Sequence, residues 1–175
     1  MRKSYLHICI TLQPKKQGNI LDYFQGVVVE YLRANRAVFV NTECLIQLDD
    51  GSKPLKGRHW YCDAMAVNFK EQTVYLCEIT YSVTMHALLG RLQAWQNNWG
   101  DLTAAVLRDA GISKDWKIQP WLFIPEVHHA DFLKKFATQK PKPGVTWVMP
   151  APRVTYLESV APWKYKNTWD RKIDV

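Results

Sequence analysis

Two neighbouring segments constrain this chain more than any other feature: RHWYCDAMAV over 58–67 and TVYLCEIT over 73–80. Both are rich in strand-forming residues, and each carries one acid in an apolar setting. A short polar turn centred between Lys70 and Glu71 makes them a hairpin and sets Asp63 directly opposite Glu78. A loop of two or of four residues gives that same register. Opposite residues share a face, with Cβ atoms roughly 5 Å apart. Tyr61, Met65, Val67, Val74 and Leu76 fall on that face, and Cys62, Ala64, Ala66, Tyr75, Cys77 and Ile79 on the other. Strands apolar on both faces lie centrally in a sheet covered on both sides. A slip of one residue would put the two acids on opposite faces.

Burying two unpaired carboxylates costs on the order of several kcal/mol. A divalent cation, a shared proton or a basic partner can offset that cost. A hard cation such as Mg²⁺ (or Mn²⁺) accepts two carboxylates together with waters and phosphate oxygens. That arrangement suits phosphodiester hydrolysis, where the ion activates water and stabilises charge on the phosphate.

The elements around the hairpin follow from periodicity. Residues 5–12 read as a short strand or a helix lead-in. Asn19 is placed to cap a helix over 20–34, with Ile20, Leu21, Phe24, Val27, Val28, Tyr31 and Leu32 on one face. A strand over 36–48 ends in the turn Asp49–Ser52. Thr84 is placed to cap a helix reaching about Trp99, and a second helical stretch over 101–110 stops at Gly111. A strand over 116–124, a helix over 126–139 and two short strand-like runs over 144–149 and 153–158 come after it. Three consecutive strands predict a meander, and a strand returning after helices predicts a crossover. The expectation is an α/β fold, a mixed sheet flanked by helices on both faces, in one domain spanning 1–175.

At 175 residues with 47% hydrophobic content, the chain is long and apolar enough for a full core. Lys and Arg outnumber Asp and Glu by 23 to 16, a formal charge of +7, which favours a polyanionic partner. Cys9, Cys44, Cys62 and Cys77 form no CxxC pair and sit in apolar runs, so they read as buried reduced thiols in a cytoplasmic protein. The N-terminal apolar stretch is short and gives way to Pro14-Lys15-Lys16, so no signal peptide is expected. No run approaches the length of a membrane span.

The hairpin and its surroundings resemble the PD-(D/E)xK nuclease superfamily, the restriction-endonuclease-like fold, over roughly residues 18–125. In that family a helix precedes a three-strand meander, a helix and a further strand, and an acid-x-Lys triplet lies on the third strand. Asp63 within Tyr61-Cys62-Asp63-Ala64 matches the first acid, and Glu78-Ile79-Thr80 matches the triplet. Glu30 matches an acid that many members carry on the first helix. The resemblance implies a metal-dependent nuclease with Mg²⁺ or Mn²⁺ held by Asp63, Glu78 and the Ile79 carbonyl, and with Glu30 assisting. It implies nucleic acid, DNA first, as the partner. Thr80 stands where the family has lysine; it can hydrogen-bond a water but brings no charge. In some members the basic group comes from the following helix, where His86, Arg91 and Gln93 lie. A nuclease-fold binding module without catalysis, or a partner-binding protein, are the alternatives.

Other residues carry competing readings. Arg58-His59 precede the strand bearing Asp63, close enough to touch a phosphate or simply to form the strand entry. His128-His129 read as a solvated helix face. Of the eight Trp, six (60, 95, 99, 116, 121 and 147) fall in regular elements and are expected in the core. Trp163 and Trp169, interleaved with Lys164, Lys166, Arg171 and Lys172, suit either base stacking or packing of the tail onto the domain.

Overall fold

The computed structural model describes residues 20–49 and 57–166. The expected strand over 5–12, the Asn19 cap, most of the 49–52 turn, Cys9 and the tail residues Trp169, Arg171 and Lys172 lie outside the described residues.

Helix α1 (Ile20–Arg33) leads into β1 (Val38–Gln47), β2 (His59–Asn68) and β3 (Thr73–Ile79). Helices α2 (His86–Asn97) and α3 (Trp99–Ala110) precede β4 (Lys117–Ile124), and α4 (His129–Thr138) precedes β5 (Arg153–Tyr156). The five strands form one mixed sheet in the order β1-β2-β3-β4-β5. The first three are an antiparallel meander; β4 runs parallel to β3, and β5 parallel to β4. The helical segments between the parallel strands supply the crossovers such pairing requires.

All seven residues of β3 are buried, as a central strand covered on both faces demands. On one face α1 packs Val28 and Leu32 against Ala64, Ala66, Cys77 and Phe123, with Leu157 and Val160 completing the layer. On the other, Leu88, Leu92 and Trp95 of α2 and Leu102, Ala105 and Val106 of α3 cover Val74, Leu76 and Leu122, with Phe132 of α4. Leu88, Leu92 and Trp95 recur at i, i+4, i+7, so one stripe of α2 meets the sheet. Burying each such side chain contributes about 1.5–3 kcal/mol.

The β2–β3 hairpin has the expected register: Asn68 pairs with Thr73, Val67 with Val74 and Ala64 with Cys77. Its four-residue loop is held by Asn68, whose buried side-chain oxygen accepts from the N–H groups of Lys70 and Glu71. Gln72 takes a positive φ to re-enter the sheet.

Several expected boundaries change. No side chain caps α2; its N-cap is Met85, in a left-handed conformation and buried, while the Thr84 hydroxyl meets that of Ser82. Anchoring Met85 in the core outweighs a hydroxyl cap at this end. Helix α2 ends at Asn97 and α3 begins at Trp99, two residues before the expected start. Gly111 does end α3, with φ 62. The expected helix over 126–139 opens as a 3-10 turn over Glu126–His128 before α4. The run 144–149 is not a strand: Gly144 has φ 87, and the segment passes beside the α2–α3 junction. Trp147 is therefore 64% exposed instead of in the core, its ring lying over Gly100. Trp95, Trp99 and Trp121 are buried as expected, and Trp60 and Trp116 are partly buried against the core.

The sheet departs from regular strand geometry at one place. Residues of one parity along a strand should stay on one face. Val38 and Val40 of β1 and Ala64 and Ala66 of β2 face α1, yet Cys44, Ile46 and Cys62 of the same parity face α2 and α3. The switch falls at Glu43, whose φ is 52, and at Asp63 across from it. Thr42 pairs with Ala64 and Cys44 with Cys62, so the register is the same on both sides and no residue is inserted. The two strands bend together, and β2 leaves β3 just beyond the Ala64–Cys77 pair.

Candidate active site

The bend frees the end of β3 from its ladder. The N–H of Ile79 donates to Oδ2 of Asp63 at 2.7 Å, so a side chain stands in for a backbone partner. The Asp63 carbonyl accepts from Nε2 of Gln25 on α1 at 3.2 Å. Asp63 is thus held at both its backbone and its carboxylate. Glu78, one residue before Ile79, lies buried on the face covered by α2.

Arg91 of α2 completes the constellation. Its Nη1 donates to Oε2 of Glu78 in a very short contact and lies 3.8 Å from Oδ1 of Asp63. The Glu78 side chain is 4% exposed, against 28% for Asp63 and 31% for Arg91. Glu78 is therefore the floor of the site, while Asp63 and Arg91 are reachable from solvent. Oε1 of Glu78 is buried without a hydrogen-bond partner. Leaving such an atom unsatisfied is costly, so it marks a place where a proton or an additional ligand is favoured.

The electrostatics follow the burial. Desolvation, and then the charge of Asp63, push Glu78 up to about 8 despite the Arg91 guanidinium. Burial also raises Asp63, while the Ile79 N–H and Arg91 pull it down and Glu43 adds to the rise. Burial disfavours the charge on Arg91, but the hydrogen bond to Glu78 and the attraction of both acids hold it above its ordinary value. Of the ways to offset a buried acid pair, the chain itself supplies the basic partner and favours the proton on Glu78.

The remaining sequence candidates separate. Glu30 is exposed, pairs with Arg33 at 3.3 Å and lines a hollow on the α1 side with Gln25, Thr42 and Glu43; the structure does not bring it to the acid pair. Thr80 donates its N–H to the Phe123 carbonyl, and its hydroxyl accepts from Ser82 N–H at 3.1 Å, tying it into a turn. Arg58 is engaged by Asp49 and Asp101 at 2.9 and 3.0 Å. Gln93 donates to the Lys140 carbonyl and to Asn97 and so braces α2 against the later chain. His86 is the exposed first residue of α2. Of the four residues considered for phosphate contact, Arg91 alone is seen on both acids. Sequence reasoning missed Glu43; pairing the β1 segment against β2 by the same register logic would have set it opposite Asp63.

Among the described residues no group of three or more His, Cys, Asp or Glu gathers as a metal cage. The unpartnered Oε1 of Glu78 beside Asp63 does fit a hard cation that takes two carboxylates and fills its other positions with backbone and water oxygens. Among the described residues no helix is long and apolar enough to cross a membrane. No protein-family model matches the chain, and no curated protein matches it.

Proposed function

We propose that this α/β protein is a restriction-endonuclease-like, Mg²⁺- or Mn²⁺-dependent nuclease hydrolysing nucleic-acid phosphodiester bonds, DNA first, in a reducing cytoplasmic setting. The observation that carries the reading is the buried Glu78 set beside Asp63 with one oxygen unpartnered, at the point where β2 parts from β3. The meander, crossover helices and parallel β4 around that point support it.

Asp63, Glu78 and the Ile79 carbonyl would hold the ion, which supplies an activated water and neutralises charge on the phosphate. Glu78 gives up its proton to do so, since metal ligands bind as carboxylates. Ile79 N–H keeps Asp63 oriented through Oδ2 and leaves Oδ1 turned toward Arg91. Arg91 provides the cation that Thr80 cannot. Its planar fork suits a phosphate oxygen pair, and α2 already aims it at the site. The excess of positive charge favours the polyanion at longer range.

A second reading, a nuclease-fold module that binds without cutting, draws on the same Arg91. A guanidinium already seated on Glu78, beside a Thr80 hydroxyl tied into a turn, is also how a site without catalysis would be made stable.

Cleavage assays on single- and double-stranded DNA and RNA separate the two, with Mg²⁺, Mn²⁺ or a chelator. The proposal expects metal-dependent cutting by the wild type, lost in Asp63→Ala and Glu78→Gln. Salt-sensitive binding without cutting would leave the second reading standing. No binding at moderate salt would remove both and favour a protein partner.

A further inference from the structure

Cys44 and Cys62 sit directly opposite each other on β1 and β2, the first paired residues past the bend. Both are free, and both turn their thiols to the α2–α3 face. Nδ2 of Asn41 donates to Sγ of Cys44 at 3.0 Å. Directly opposed residues of an antiparallel pair have Cα atoms about 4.5 or 5.5 Å apart, depending on their place in the ladder. Both spacings fall within the roughly 4.4–6.8 Å that a disulfide spans.

We propose that Cys44 and Cys62 are a redox-modification site, a dithiol that hydrogen peroxide converts to a cross-strand disulfide. Cys44 reacts first. It lies on the outer strand and is the more exposed of the two, at 7% against 1%. Asn41 Nδ2, donating to its sulfur, also favours the thiolate there. The Cys44 thiolate attacks one peroxide oxygen, the O–O bond breaks, and a sulfenic acid forms as the other oxygen leaves as water. The Cys62 sulfur then attacks the Cys44 sulfur and the hydroxyl leaves as a second water. Two thiols are oxidised by two electrons, and the peroxide is reduced. Cys77 supplies an internal comparison: it is wholly buried, faces α1 and has Ala64 opposite it.

The bond would tie β1 to β2 beside Glu43 and Asp63 and fix the bend. The inference does not depend on metal binding or nuclease activity. The experiment treats the full-length reduced protein with stoichiometric hydrogen peroxide, blocks remaining thiols, digests it without reductant and maps the linked peptides by mass spectrometry. The expected product joins Cys44 to Cys62, leaves Cys77 blocked as a free thiol, raises Tm by about 5–10 °C and reverts with dithiothreitol. Cys44→Ser and Cys62→Ser should each lose both the linked peptide and the Tm shift. If both cysteines are recovered as free thiols, or if oxidation joins either to Cys9 or Cys77 instead, the proposal is overturned. The wild-type map decides this even where a serine variant folds poorly.

Discussion

Glu78 concentrates the energetics of the molecule at one residue. Its carboxyl is held up near 8 in the folded state, while an unfolded chain would release the proton near 4.5. Between those values the folded state binds the proton and the unfolded state does not. The contribution of Glu78 to stability is therefore fully present at acid pH and is lost as pH rises through about 8, by on the order of a few kcal/mol. Melting curves from pH 5 to 9 should show that decline, and Glu78→Gln should flatten it; an equal slope in the variant would remove Glu78 as its source. Arg91 gives the complementary prediction. Removing it by Arg91→Ala strands a buried acid, which matters most once Glu78 is ionised. The expected cost is about 1–3 kcal/mol above pH 8, and less at pH 6, read from urea unfolding; the partial exposure of Arg91 keeps it below that of a fully buried pair. The hairpin register was legible in the sequence, because loops of two and of four residues give the same one; that β2 parts from β3 at Asp63, before the pair with Glu78 forms, was not. The link to Arg91 was open to it only as one of three polar residues on a helix. Which of them turns inward depends on where α2 docks, and no local pattern states that. Glu30 had the right spacing but the wrong side of the sheet.

At the scale of elements, α2 is the part that turns a strand pair into a site. Leu92 is fully buried next to Arg91, and its stripe with Leu88 and Trp95 sets the helix rotation. Leu92→Ala should cost about 2–5 kcal/mol by chemical denaturation. It should also steepen the pH dependence assigned to Glu78, because a rotated α2 withdraws the Arg91 guanidinium that pulls that carboxyl down. A variant as stable as the wild type would mean that α2 is held from elsewhere. The strands and helices with strong periodicity were readable to within a few residues. The 144–149 run was not: its apolar residues look like a strand, but it pairs with no strand among the described residues, and Trp147 rests on Gly100 at the surface. The Met85 cap was equally hidden, since a buried methionine leaves no trace in capping preferences.

Over the whole molecule, charge and topology decide what can approach. On the proposed function, and with a formal charge of +7, nucleic-acid binding should weaken steeply as salt rises, with a linear log–log slope set by the phosphates neutralised. Asp63→Ala removes a negative charge from the site, so it should bind at least as tightly as the wild type while failing to cut. Anisotropy titrations with a labelled oligonucleotide in chelator would show this, and weaker binding by the variant would argue that Asp63 contacts the ligand by another route. The mixed sheet itself was legible, because strand runs joined by short turns and then by helices admit few arrangements. The coordinated bend was not, since it leaves the register unchanged and so leaves no mark on the hydrophobic alternation used to find it.

That bend has a consequence at the rim of the sheet. Among the described residues β1 is an outer strand, and an outer strand offers its free peptide groups to any passing chain. At Glu43 the backbone turns left-handed and a carboxylate stands in the row, so a recruited strand meets two short stretches in place of one continuous template. The opposite rim, β5, is four residues long. The local distortion that opens a place for chemistry in the interior also denies the sheet a long edge along which copies could zip into fibres.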